Sequence, residues 1–157
     1  METALLKSRM PNPVFVTEGS MDALQALAAT TRDAGVPDAL LELINLRVSQ
    51  INGCSVCVDL HSRGLRRLGE TTERIVAVGA WHHPPAFTDA ERAALTLAEA
   101  LTRIADKPDP VPDEIWDDVA QHYDEPALSA LILSIAAINV WNRLNVAVGQ
   151  IVGEWKG

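Results

Sequence analysis

Apolar positions recur every three or four residues along nearly the whole chain, and no segment alternates apolar and polar residues for long enough to make a strand. The pattern predicts an all-α protein. Ser20 is placed to cap a first helix running to about Arg32, and Gly35 and Pro37 punctuate the connection to a second helix over about Asp38 to Gln50. That second helix carries Leu40, Leu41, Leu43, Ile44, Leu46 and Val48, a band broad enough for burial on more than one side, while Glu42, Asn45 and Ser49 share one narrow polar stripe. Asn52-Gly53 is a turn dipeptide, and a third helix begins at the cysteines and runs to about Leu68 before Gly69, so Cys54 stands at a helix N-terminus.

Further on, a helix over about Thr72 to Trp81 is stopped by His82-His83-Pro84-Pro85, because proline lacks the donor and clashes with the preceding turn. Thr88-Asp89-Ala90-Glu91 is a capping box opening a helix to about Ala105. Lys107 to Pro112 is the clearest linker, and two helices follow it, about Asp113 to His122 and Pro126 to Val148. Residues 1–19, interrupted by Pro11 and Pro13, read as an extended arm, residues 38–105 as the core and residues 113–148 as C-terminal helices of one domain spanning 1–157.

The last helix is apolar on almost every side from Ala127 to Ile138, so part of it is expected to pack against another subunit. Its apolar stretch, Ala127 to Val140, contains Ser129 and Ser134 and meets Asn139, Asn142 and Arg143. That falls short of the roughly 20 residues a bilayer span requires, and a buried helix with no membrane partner is expected.

A chain of 157 residues is long enough to bury roughly two-thirds of the surface its unfolded form exposes, so no covalent staple is needed. A formal net charge of -8 argues against nucleic acid as a partner. The first 19 residues hold no apolar run of secretory length, and cytoplasmic residence is expected. Only two cysteines are present, three residues apart, which excludes a disulfide framework and points to a catalytic or metal-binding pair in a reducing compartment.

Those cysteines carry the chemistry. A free thiol near pKa 8.5 is only a few per cent ionised at neutral pH, so a redox cysteine needs help from its surroundings. In Cys54-Ser-Val-Cys57, with His61 four residues on, the helix N-terminus, the neighbouring thiol and an imidazole on the Cys57 face all favour a thiolate. Cys57 is expected to attack, and Cys54 to resolve the resulting sulfenic acid or mixed disulfide. No nicotinamide or flavin fingerprint is present and no cofactor is expected, so turnover would need an external dithiol reductant. Cys54, Cys57 and His61 give only three zinc ligands with no second pair at familiar spacing, and covalent haem would want histidine where Val58 stands. Trp81, Phe87, Trp116 and Trp141 are expected in the core or at subunit contacts, one or more of them walling a substrate pocket. His82, His83 and His122 read as helix-end residues rather than ligands.

The segment Arg47-Val-Ser-Gln-Ile-Asn-Gly-Cys54-Ser-Val-Cys57, followed by His61 and preceded by Glu42 twelve residues before Cys54, resembles the AhpD-like alkylhydroperoxidases of the carboxymuconolactone decarboxylase superfamily. The resemblance runs from about Leu40 to Ala100, with an echo in Ile138-Asn-Val-Trp-Asn-Arg-Leu-Asn145. It implies a bundle of about six to seven helices, a homo-oligomer (trimer or hexamer), reduction of small organic hydroperoxides or disulfides through the cysteine pair, and a proton relay of Glu42 and His61 to the thiols. The best-studied peroxidase members carry a second histidine just before the attacking cysteine, where this chain has Val56. Two alternatives stay open at this point. One is a lyase or isomerase of the decarboxylase type using Glu42 and His61 as acid and base; the other is a non-catalytic helical oligomer.

Overall fold

The computed structural model describes residues 6–83 and 85–154, so residues 1–5 of the expected arm and Pro84 of the expected proline stop lie outside the described residues. Eight α-helices are found among them: α1 Pro13–Val16, α2 Ser20–Ala29, α3 Asp38–Asn52, α4 Ser55–Arg67, α5 Thr72–Ala77, α6 Asp89–Thr102, α7 Asp113–His122 and α8 Glu125–Val148, with a short 3₁₀ turn Val78–Ala80 after α5. The all-α expectation holds.

Helix α3 is the hub, packing on α4, α6 and α8. Its apolar band divides between two clusters. Leu40, Leu41, Ile44 and Val48 join residues of α6, α7 and α8, while Leu43 and Leu46 meet Leu65, Ile75, Val78, Trp81, Phe87 and Leu95 on the opposite side. Burial on two sides explains the breadth of that band in the sequence. Arg47 ties the same helix to α6, donating to Glu99 at 2.6 Å, and the Trp81 indole donates to the same carboxylate at 2.9 Å.

The helix ends follow local chemistry. The capping box is complete: the Glu91 N–H donates to Thr88 and the Thr88 N–H to the Glu91 carboxylate. Gly53, at φ 69°, ends α3 in the left-handed conformation that glycine adopts without a Cβ penalty, and Cys54 in extended backbone opens α4. Helix α6 stops at Thr102, short of the expected Ala105, where Arg103 leaves helical geometry at ψ 47°.

Two expectations are corrected. The N-terminal segment is a strap rather than a loose extended arm. Pro13 sits in the first turn of α1, where its missing N–H costs nothing, and Asn12 caps that helix by accepting from the Val14 N–H. The strap is held by the Arg9 N–H donating to the Val148 carbonyl at 2.8 Å and the Arg9 guanidinium to the Ala147 carbonyl. Second, α8 has 24 residues and is long and apolar enough to cross a bilayer by length and composition, although half of its most apolar window is buried inside this fold, as in a core helix. Trp81 and Phe87 are buried in the core, and Trp116 is 42% exposed on this chain.

Helix α8 buries Ser134, Asn139, Asn142 and Asn145. The first three meet the polar stripe of α3. Ser134 donates to Asn45 at 3.1 Å, Asn142 to Ser49 at 3.1 Å, and Asn52 to both Asn139 at 2.9 Å and Asn142 at 3.0 Å. This ladder sets the register of the two helices.

The fully buried Leu43 provides a check on the hub. Leu43→Ala should cost about 2–5 kcal/mol of stability, read as a lower denaturation midpoint in urea, because α3 is enclosed and the cavity cannot collapse.

Candidate functional site

The turn at Gly53 places Cys54 as the N-cap of α4, where its Sγ accepts from the Cys57 N–H at 3.3 Å. One helical turn on, the Cys57 sulfur stands 2.6 Å from the Cys54 sulfur. Both cysteines are free and buried. Cys54 is therefore lowered from 9.0 to about 6, first by the proton that Cys57 donates, with its backbone N–H and the Asn145 and Asn142 amides adding and burial opposing. Cys57 is pushed up, first because its proton is held by Cys54, then by burial and by the charge on Cys54. Cys54 collects the backbone donor at the helix N-terminus, and the Asn145 amide lies against both sulfurs.

Glu42 on α3 and His61 on α4 are brought together, with the Glu42 carboxylate 2.8 Å from His61 Nδ1. Both side chains are partly buried. Among the described residues the ring hydrogen bond of His61 is to Glu42, and the direct side-chain contacts on Cys57 come from Cys54 and Asn145 instead. The expected imidazole contact to the Cys57 thiol is not formed. Cys57, Glu42 and His61 nevertheless face one cavity of about 550 Å³, which Asn145 also lines, with Val56, Leu60, Ile138 and Trp141 supplying apolar wall. A mainly apolar cavity with a few convergent polar groups is what a small organic ligand fits. Cys54 faces the other way, into a second cavity that Asn145 also lines.

Two site residues escaped the sequence reading. Asn145 is 4% exposed, and its Nδ2 lies 3.2 Å from Cys57 Sγ and 3.7 Å from Cys54 Sγ. The signal available was its place in the polar echo of the last helix. Gly64 is the second: a Cβ built there would stand 2.5 Å from the Glu42 carboxylate, so only glycine lets that group lie flat on α4 and reach His61. An isolated glycine inside a helical pattern was the trace it left. His82 stacks on Trp81 and His122 lies 4.0 Å from Asp118, both away from the sulfurs. No three His, Cys, Asp or Glu side chains converge among the described residues to hold a metal ion.

Comparison with known proteins places these features in context. The family model for the carboxymuconolactone decarboxylase family matches residues 18–100. The uncharacterized protein YdfG of Bacillus subtilis is 40% identical over 130 residues, covering 83% of this chain and 87% of its own. The alkyl hydroperoxide reductase AhpD of Hyphomonas neptunium is 42% identical over 69 residues, 42% of this chain and 38% of its own. The crystal structure of a protein of unknown function from Agrobacterium tumefaciens, provisionally described as the antioxidant defence protein AhpD, superposes with a TM-score of 0.86 at 30% identity, covering 95% of this chain and all of that one.

The sulfur pair gives a direct titration. Ultraviolet absorbance of the reduced protein should show one thiolate forming with a midpoint near pH 6, against the ordinary 9.0. Two thiolates appearing together near the ordinary value would remove the assignment.

Proposed function

The chain belongs to the carboxymuconolactone decarboxylase family, and from that premise and the geometry above we propose that it is a thiol-dependent peroxidase or related thiol-disulfide oxidoreductase of the AhpD-like type. The observation that carries the reading is the Cys54/Cys57 pair, sharing one proton beside a cavity that also holds Glu42 and His61. Its substrate is a small organic hydroperoxide, suited to the apolar wall that Val56, Leu60, Ile138 and Trp141 provide. The reductant is an external dithiol.

The steps balance as follows. The Cys57 proton passes to Cys54, and the Cys57 sulfur attacks the terminal peroxide oxygen, forming an S–O bond as the O–O bond breaks. The departing alkoxide takes a proton from the Glu42 and His61 pair and leaves as the alcohol, with Cys57 as sulfenic acid. Cys54 returns its proton to that pair and attacks the Cys57 sulfur. Hydroxide leaves and takes the proton to become water, and a Cys54 to Cys57 disulfide remains. The external dithiol then exchanges with it and is itself oxidised, restoring both thiols. Cys57 is assigned the attack because it faces the cavity of Glu42 and His61, whereas Cys54 faces away. The absence of direct contact between His61 and Cys57 suits a relay acting on the substrate oxygen or through a water.

Assembly into a homo-oligomer belongs to the same reading, supported by the exposed Val140 and Val146 on the otherwise apolar α8. A lyase of the decarboxylase type would need Glu42 and His61 alone. The sulfur at the same cavity favours the thiol reading, and activity surviving in a Cys54→Ser, Cys57→Ser double variant would reverse that preference.

Treating the reduced protein with cumene hydroperoxide should consume both thiols and form one intramolecular disulfide. Cys57→Ser should abolish turnover, and Cys54→Ser, which removes both the proton acceptor and the resolving thiol, should form slowly a sulfenic acid that persists and that dimedone captures. Retention of both thiols under excess hydroperoxide sinks the reading. Gly64→Ala should lower turnover at least as far as Glu42→Gln, because the new methyl displaces the Glu42 carboxylate. Its thermal midpoint should hold or rise, since alanine favours an internal helix position by about 1 kcal/mol over glycine.

A further inference from the structure

We propose that Asn12, on the N-terminal strap, is a positioning residue of the redox centre: it orients the side-chain amide of Asn145 so that its N–H, and not its carbonyl, faces the two sulfurs. The proposal rests on reading Cys54 and Cys57 as the redox pair and adds to it a residue far from the motif, 133 positions from the side chain it orients.

The orientation follows from a chain of donors in which each link has one solution. The Val14 backbone N–H can only donate, and it donates to the Asn12 side chain at 3.2 Å, so the Asn12 atom facing it is the carbonyl oxygen. The other branch of the Asn12 amide is then NH₂. It points at Asn145 at 2.8 Å, so the Asn145 atom that receives it is Oδ1. A planar amide with Oδ1 committed there has its Nδ2 on the opposite branch, and this branch lies 3.2 Å from Cys57 Sγ and 3.7 Å from Cys54 Sγ. Asn12 is 1% exposed and Asn145 is 4% exposed, so no bulk water competes for these groups.

The consequence is electrostatic. An N–H directed at sulfur stabilises the thiolate relative to the thiol, whereas a carbonyl in its place would accept from S–H and hold the pair protonated. The Asn145 contact accordingly lowers both sulfurs. The charged and titratable groups around the pair are Arg32, Asp38, Glu42, His61 and Arg67 lining the first cavity, with Lys7 and Arg9 lining the second. The Asn12 side chain bonds to Val14 and Asn145 and to none of these groups.

The test is the thiolate absorbance titration of the reduced full-length protein, which needs no hydroperoxide and therefore stands or falls apart from the peroxidase reading. Asn145→Leu should move the midpoint up by about one pH unit, a roughly tenfold loss in the ionisation constant. Asn12→Ser keeps a good N-cap for Val14 but is too short to reach Asn145 and carries no charge; it should move the midpoint in the same direction by about half as much. Asn12→Asp also keeps the cap but presents only acceptors to Asn145, which turns the amide over, and should move it further than Asn12→Ser. An unchanged profile in folded Asn12→Ser overturns the proposal whatever Asn12→Asp does, because a shift confined to Asn12→Asp is a charge effect. Should Asn12→Ser fail to fold, Asn12→Thr, which also retains a capping hydroxyl, carries the same test.

Discussion

The amide and hydroxyl ladder between α3 and α8 is the constraint on which the rest depends. Apolar side chains alone would let two long helices slide or rotate, since Leu against Ile has no strong directional preference. Asn45, Ser49 and Asn52 facing Ser134, Asn139 and Asn142 remove that freedom, because each buried polar group left without its partner would cost about 1–3 kcal/mol. The ladder thus locks α8 in one register, and three residues beyond Asn142 that register delivers Asn145 to the sulfurs. The buried asparagines of an otherwise apolar helix align the protein and furnish its site with the same set of contacts.

A second division of labour runs across α4. Its N-terminus collects donors on Cys54, and Cys57, one turn later, is turned toward the cavity and toward the acid–base pair. The helix N-terminal backbone donor and the open cavity fall to different sulfurs, which stand 2.6 Å apart. Glu42 and His61 form a separate unit, held by the close packing of α3 on Gly64.

Much of this was legible in the sequence, and the reasons are local. The capping box at Thr88, the turn at Gly53 and the broad apolar band of α3 are dictated by neighbours within a few residues, so spacing sufficed. Glu42, Cys54, Cys57 and His61 carry a motif, and the fold does bring them to one region. What spacing could not supply is where an isolated polar group ends once helices pack. Asn12 looked like part of a proline-broken arm because its partner lies on the last helix. The setting of His61 escaped for a related reason: a helical wheel sets it beside Cys57, but the ring is drawn instead to Glu42 on the neighbouring helix.

That the N-terminal strap and helix α8 meet beside the sulfurs has a bearing on biosynthesis. While the ribosome is still extending the polypeptide, Cys54 and Cys57 emerge without Asn145 behind them, and Asn12 has nothing to orient. The pair therefore acquires its finished electrostatic surroundings only after α8 has been made and has packed against α3 and the strap.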